Sequence, residues 1–267
     1  MIRLLLTFSA GMARRNVHQD IISSYPRVCE VARNRKRLQA RALKSLSGVS
    51  IIGFSELRNR IFAFNARDVI LVSGNVGDPL TFVAACGHRG LPLAVVYRTL
   101  DRAWRAMLRG AKVELLPVED GRPIVELFRT FDAVREYGAF LYFIIDVPFK
   151  SRKTSNFLGY NLPISRLASA YAKRAKLEIC SLNSRIVSAF EMHYNLLSIL
   201  DSRLASMIAS VEQTILQEPC QYRWTTSAII FADPSARQEA MRFVPDVLQY
   251  RDQALASGAA HRGPFLK

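Results

Sequence analysis

The side chains best placed to do chemistry lie in six consecutive residues, Ser73-Gly74-Asn75-Val76-Gly77-Asp78, between the apolar run Val69–Val72 and the apolar stretch Leu80–His88. A hydroxyl, a carboxamide and a carboxylate share one Gly-rich turn, and Asp78 stands five positions after Ser73. Ser73 as a nucleophile would need a strained G-x-S-x-G elbow, which the sequence lacks. A carboxamide cannot accept a proton near neutral pH, and a serine is no base without a partner. Asp78 directly precedes Pro79, so its carboxylate suits a helix cap as well as a site role. The turn contains no imidazole. His88 ends the following apolar stretch, roughly 15 Å from Asn75 at about 1.5 Å per helical residue. His193 reads as a core or edge-strand residue, and His18 and His261 are remote in sequence. The cysteines Cys29, Cys86, Cys180 and Cys220 form no C-x-x-C pair and do not group with the histidines. That spacing offers no zinc site and fits buried, reduced thiols. No cofactor motif occurs.

The surrounding pattern is what must hold such a turn. Val69–Val72, Leu93–Tyr97, Val113–Leu116 and Ala139–Ile145 are short apolar runs bounded by turn residues, and each predicts a strand. Helices are expected between them: Leu80–Gly87 with Pro79 in its first turn, Asp101–Leu108, and one from Pro123 to about Tyr137. Ala139–Ile145 is apolar on both faces and belongs in a sheet covered on both sides. Asp146–Leu162 reads as a polar, basic loop that includes Lys150-Ser151-Arg152-Lys153. A helix from Pro163 to about Lys176, a strand over Leu177–Leu182, an edge strand over Val187–Asn195 and a helix over Asp201–Gln217 capped by Asp201 complete the alternation. The expected fold is α/β, a largely parallel central sheet with helices on both faces. Residues 1–65 read as a basic helical region, 66–232 as the α/β core, and 233–267 as a helix and tail, in one structural domain.

A chain of 267 residues, 50% hydrophobic and 22% charged, is long enough to bury a large core. Its mean hydropathy of +0.08 is high for a chain with 37 Lys and Arg. No run of about 18 uncharged apolar residues occurs, so no transmembrane helix is expected. The apolar stretch Ile2–Ala10 is short, and no signal peptide is expected. The net charge is +15, and residues 1–60 hold twelve Lys and Arg against three Asp and Glu, a balance of +9. Such a surplus suits a solvated helix face, an anionic lipid surface or nucleic acid. No nucleic-acid-binding motif accompanies it.

Several segments, in order, resemble one family. Arg89-Gly90-Leu91-Pro92 leads into Leu93–Arg98; Ala139–Asp146 follows; then come Phe157-Leu158-Gly159, Pro163 with an Ala-rich helix, and Pro219-Cys220-Gln221-Tyr222-Arg223-Trp224. From Arg67 to Trp224 the chain is similar to the acyltransferase domain of the bacterial lipid A biosynthesis (lauroyl/myristoyl) acyltransferases, a branch of the lysophospholipid acyltransferase superfamily. The resemblance implies a glycerolipid acyltransferase-type fold. It also implies a catalytic H-x-x-x-x-D/E motif at the turn, whose histidine is the general base on an acceptor hydroxyl and whose acid orients it. Aligned without a gap, Asn75 takes the histidine place and Leu80 the acid place. Shifted by two, Ser73 and Asp78 take them. Neither register supplies the histidine. Val147 stands for the glutamine of the family's Asp-Gln pair, Cys180 for a proline, and the Arg-Arg-Trp that normally follows Trp224 is missing.

By the same resemblance Arg98, Asp146 and Gly159 are candidate substrate-binding residues, Arg98 as an anion ligand at a strand end. The implied partners are an acyl-carrier protein or coenzyme A thioester as donor, a lipid or other amphiphilic acceptor, and an anionic membrane surface. The implied location is peripheral, on the cytoplasmic face of the bacterial inner membrane. The alternatives are an inactive homologue that binds lipid or protein, and a divergent acyltransferase of lipid-modified natural product assembly.

Overall fold

The structure is a computed structural model that describes residues 25–119, 121–146, 155–157, 160–162, 164–199 and 201–222. Ile2–Ala10, His18, His261, Lys150–Lys153, Gly159, Trp224 and the expected C-terminal helix all lie outside the described residues.

Nine strands and seven α-helices are described. In chain order they are α1 (Tyr25–Lys44), β1 (Ser50–Ile51), α2 (Phe54–Phe62), β2 (Val69–Ser73), α3 (Pro79–His88), β3 (Leu93–Tyr97), α4 (Arg102–Gly110), β4 (Glu114–Pro117), α5 (Ile124–Glu136), β5 (Phe140–Ile144), β6 (Ser155–Phe157), β7 (Tyr160–Leu162), α6 (Leu167–Ala175), β8 (Glu178–Ile186), β9 (Glu191–Ile199) and α7 (Leu204–Gln217). Seven strands form one sheet in the order β1-β9-β8-β2-β5-β3-β4, and β6 and β7 pair separately. Every neighbouring pair in the large sheet is parallel except the β8–β9 hairpin. The protein is therefore α/β with a mostly parallel, mixed sheet.

Alternation along the strands explains the layers. Leu71, Val95 and Tyr142 point into a core shared with α1–α4, while Ile70, Val72, Val96 and Phe143 point into a second core shared with α5–α7. Successive side chains of a strand face opposite ways, so a doubly covered strand must be apolar throughout. All five residues of β2 are buried for this reason. Phe131, Phe143, Phe128 and Tyr171 interlock in the second core, with ring centroids 5.1–6.3 Å apart.

Four expectations need correction. β8 runs on to Ile186, four residues past Leu182, because its polar side chains find buried partners. The strand expected at Val187–Asn195 begins only at Glu191. It is not the edge strand, because two-residue β1 pairs with its outer side. Asp201 does not cap α7, whose first flanking residue is Arg203. Its carboxylate instead binds the backbone and guanidinium of Arg203. Part of the expected loop before Pro163 forms the β6–β7 ladder. No helix among the described residues is long and apolar enough to cross a membrane.

Candidate functional site

Strands β2, β5 and β8 are mutually parallel neighbours, so their C-terminal ends meet along one edge of the sheet. Open α/β sheets bind ligands at that edge. The turn after β2 enters there, between Asp146 at the end of β5 and Asn183 and Ser184 near the end of β8. Ser73, Asn75, Asp78 and Asp146 are thereby gathered, although Asp146 is 71 positions from Asn75 in sequence.

The two carboxylates have distinct tasks. Asp146 accepts from the Asn75 backbone N–H at 2.9 Å and 3.0 Å, one distance to each oxygen, and from Asn75 Nδ2 at 3.2 Å. Asp78 is the N-cap of α3, accepting from Thr81 Oγ1 at 2.9 Å and from the Thr81 backbone N–H at 3.5 Å. Pro79 follows at the first helical position, where its missing N–H costs nothing. Leu80 is half-buried against the apolar core.

The neutral groups are equally engaged. Ser73 Oγ donates to the Gly74 carbonyl at 2.7 Å and lies 3.4 Å from Asn183 Oδ1. That same Oδ1 accepts from Gly74 N–H at 3.0 Å, while Asn183 Nδ2 donates to Ser181 Oγ and Thr214 Oγ1. Ser184 Oγ donates to the Val76 carbonyl and accepts from Asp78 N–H. Tyr142, beneath Ser73, is fully buried and donates to the Leu182 carbonyl at 3.3 Å. Burial pushes its phenol well above the usual range, and the nearby Cys86, Asp146 and Asp78 push the same way against the hydrogen bond with Ser73.

A strap covers the turn from outside. Val76 bridges Tyr222, and Gly77 N–H donates to the Gln221 carbonyl at 2.9 Å. The Gln221 carboxamide makes a two-way pair with the backbone of Ile186 at 2.9 Å each. Arg35 of α1 locks this arrangement, its Nε on the Gly77 carbonyl at 2.9 Å and its Nη2 on the Gln221 carbonyl at 2.7 Å. Ser73, Asp78 and Asp146 are 0% exposed and Asn75 8%. A Cβ on Gly74 would stand 2.3 Å from Val211 Cγ1, and one on Gly77 2.3 Å from the Ser184 carbonyl oxygen. Gly77 also holds φ +61°, a conformation that L side chains rarely adopt.

No family model matches the sequence, and comparison with curated proteins finds no match.

The remaining candidates lie apart. Arg98 follows β3, two strand positions from β2, about 10 Å at about 4.8 Å per strand, but one position from the β5 end that carries Asp146. His88 closes α3 at its far end, exposed. His193 sits exposed on β9, stacked on Tyr194 with ring centroids 5.4 Å apart. No imidazole of the described residues belongs to the turn, and no His, Cys, Asp or Glu cluster among them suits a metal. Cys86, Cys180 and Cys220 are buried thiols. Burial raises those of Cys86 and Cys180 above the usual range. Sequence reading missed Arg35, Ser181, Asn183, Ser184 and Gln221 as members of this cluster. The available signal was polarity in the wrong place: Ser181, Asn183 and Ser184 stand among Ile179, Cys180, Leu182 and Ile186.

Proposed function

We propose that this chain is an acyltransferase-type α/β protein that binds an acyl thioester and an amphiphilic acceptor at an anionic membrane surface, and that the turn after β2 is a structural joint and not a general-base site. Convergence supports the acyltransferase type: Asn75 and Asp146, drawn from separate segments of the resemblance, bond at the C-terminal edge of a parallel sheet. The joint role rests on one observation. The hydroxyl, carboxamide and carboxylates of Ser73, Asn75, Asp78 and Asp146 are buried and bonded within the protein, with no imidazole among them. Among the described residues, a hydroxyl acceptor reaching this turn meets no imidazole, and losing general-base assistance typically costs about 100- to 10,000-fold in rate. The donor is an acyl-carrier protein or coenzyme A thioester, and the location is the cytoplasmic face of the inner membrane.

Mass spectrometry of ligands that co-purify with the full chain, followed by an acyl-thioester turnover assay, tests this. The expected result is a bound acyl-chain amphiphile with no thioester-dependent transfer to a hydroxyl. Brisk transfer by the wild type, abolished in Ser73→Ala or Asp78→Asn, would overturn the joint reading. Purified protein free of any amphiphile and without affinity for acyl thioesters would overturn the binding reading.

A further inference from the structure

The same edge of the sheet ends in a corner of a different character. β8 and β9 join through Val187–Phe190, and β1 starts beside them, with Ser50 N–H donating to the Phe190 carbonyl at 2.7 Å and Ile52 N–H to the Met192 carbonyl at 2.8 Å. These bonds set Ile52 beside the connection that carries Val187 and Phe190, and the three are 41%, 45% and 46% exposed. Cations outnumber acids around them: Glu191 adjoins Phe190 and accepts from Ser188 Oγ at 3.4 Å, against three cations of α1. The Arg41 guanidinium lies over the Phe190 ring, 5.8 Å from its centroid. Arg37 and Lys44 stand four residues before and three after Arg41 on α1, a spacing that places all three along one helix face. Arg33, Lys36, Arg37, Arg41 and Lys44 are all exposed, and Glu30 is the only acid of α1.

The contrasting apolar patch lies on α5. Ile124 and Val125 are more exposed, at 53% and 54%, but their charged neighbours are mixed: Glu119 precedes them, and Glu126 pairs with Arg122 at 3.9 Å. An anionic surface attracts the first patch more strongly than the second. Exposed apolar and aromatic side chains bordered by Lys and Arg are the composition of a segment seated at a bilayer interface.

We infer that Ile52, Val187 and Phe190 insert into the outer layer of an anionic phospholipid bilayer, with Arg37, Arg41 and Lys44 on its head groups. This rests on the membrane part of the proposed function and names the surface that carries it. The corner spans one to three strand positions from β2, about 5–14 Å at about 4.8 Å per strand. Seating it brings the C-terminal edge of the sheet to the membrane, where an amphiphile resides.

Cosedimentation of the full chain with phosphatidylglycerol–phosphatidylcholine vesicles, and with phosphatidylcholine alone, tests the inference. The paired change Ile52→Ser and Phe190→Ser is expected to weaken binding to the anionic vesicles about tenfold or more, from the lost apolar burial. The pair Ile124→Ser and Val125→Ser is expected to leave binding as it is. In a second measurement, the indole fluorescence introduced by Phe190→Trp is expected to be quenched by lipids brominated on their acyl chains. Wild-type protein that ignores anionic vesicles overturns both the membrane reading and the corner. Anionic binding that survives the Ile52/Phe190 pair overturns the corner alone, as does indole fluorescence in the Phe190→Trp variant that brominated lipid leaves unquenched. If the corner instead seats a segment of residues 1–24 or 223–267, the pair lowers the melting temperature and leaves vesicle binding unchanged, which overturns it as well.

Discussion

The turn after β2 and the β8–β9 corner lie on one edge of one sheet, yet they treat water in opposite ways. In the turn, polar side chains are sealed from solvent, and partners come from α1, β5, β8, α7 and the segment 219–222. In the corner, apolar side chains are left in solvent beside cations. Burying a hydroxyl or carboxylate is tolerable only when each lone pair and proton is matched, so the turn tolerates little change. Exposing three apolar side chains costs the folded state little, and such a surface has value only if something covers it. The contrast predicts a rigid turn and underlies the association proposed for the corner.

The strongest way to break this contrast is to force a methyl group into the turn. Gly77→Ala meets the Ser184 carbonyl and a left-handed backbone together, and is expected to destabilise by about 3 kcal/mol or more in urea unfolding. Gly90 also has positive φ, +85°, but a Cβ there would meet nothing within 4 Å. Gly90→Ala is therefore expected to cost only the backbone strain, about 1–2 kcal/mol. Equal losses for the two would mean that the turn is looser than its packing shows.

Unlocking the strap comes next. Arg35→Ala removes charge-assisted bonds to the Gly77 and Gln221 carbonyls and is expected to cost about 1.5–3 kcal/mol by the same measurement. Hydrogen exchange of the Gly77 amide, which bonds to Gln221, should accelerate in that variant while the β2 amides stay protected.

A pH scan sharpens the comparison through a buried phenol that contacts the turn at Ser73. The Tyr142 phenol is held above its unfolded value of 10.0, chiefly by burial. A raised folded pKa means that the native state keeps a proton the unfolded chain releases. Stability should therefore be intact below pH 10.0 and fall as pH rises beyond it. Tyr142→Phe is expected to make that alkaline fall shallower, measured as the slope of the urea midpoint against pH. An unchanged slope would remove Tyr142 as a cause.

The smallest effect is expected in the corner. Phe190→Ser should change unfolding free energy by about 1 kcal/mol, because the side chain is already half in water and loses only the rest of its burial. A loss comparable with that of Arg35→Ala would show that the corner packs against part of its own chain.

By itself the sequence determined the strands whose both faces are covered and the helices between them. β2, β3, β4, β5, α3, α4 and α5 fall within a residue or two of their expected limits, because a run apolar on both faces has few alternatives to a buried strand. It also carried the Asp78 cap, a local interaction three residues long, and the absence of an imidazole from the turn. Tertiary structure decided everything that depends on a partner far along the chain. β1 is a strand of only two residues and exists because β9 offers it bonds. β8 extends through Asn183 and Ser184 because Gly74 and Val76 satisfy them from about a hundred residues away. The same long-range pairing turned Asn75 and Asp146 from candidate chemistry into a buried bond, and Arg35 and Gln221 into the lock across it. Hydrophobic periodicity is written locally, whereas the satisfaction of a buried polar atom depends on which distant segment folding brings within about 3 Å.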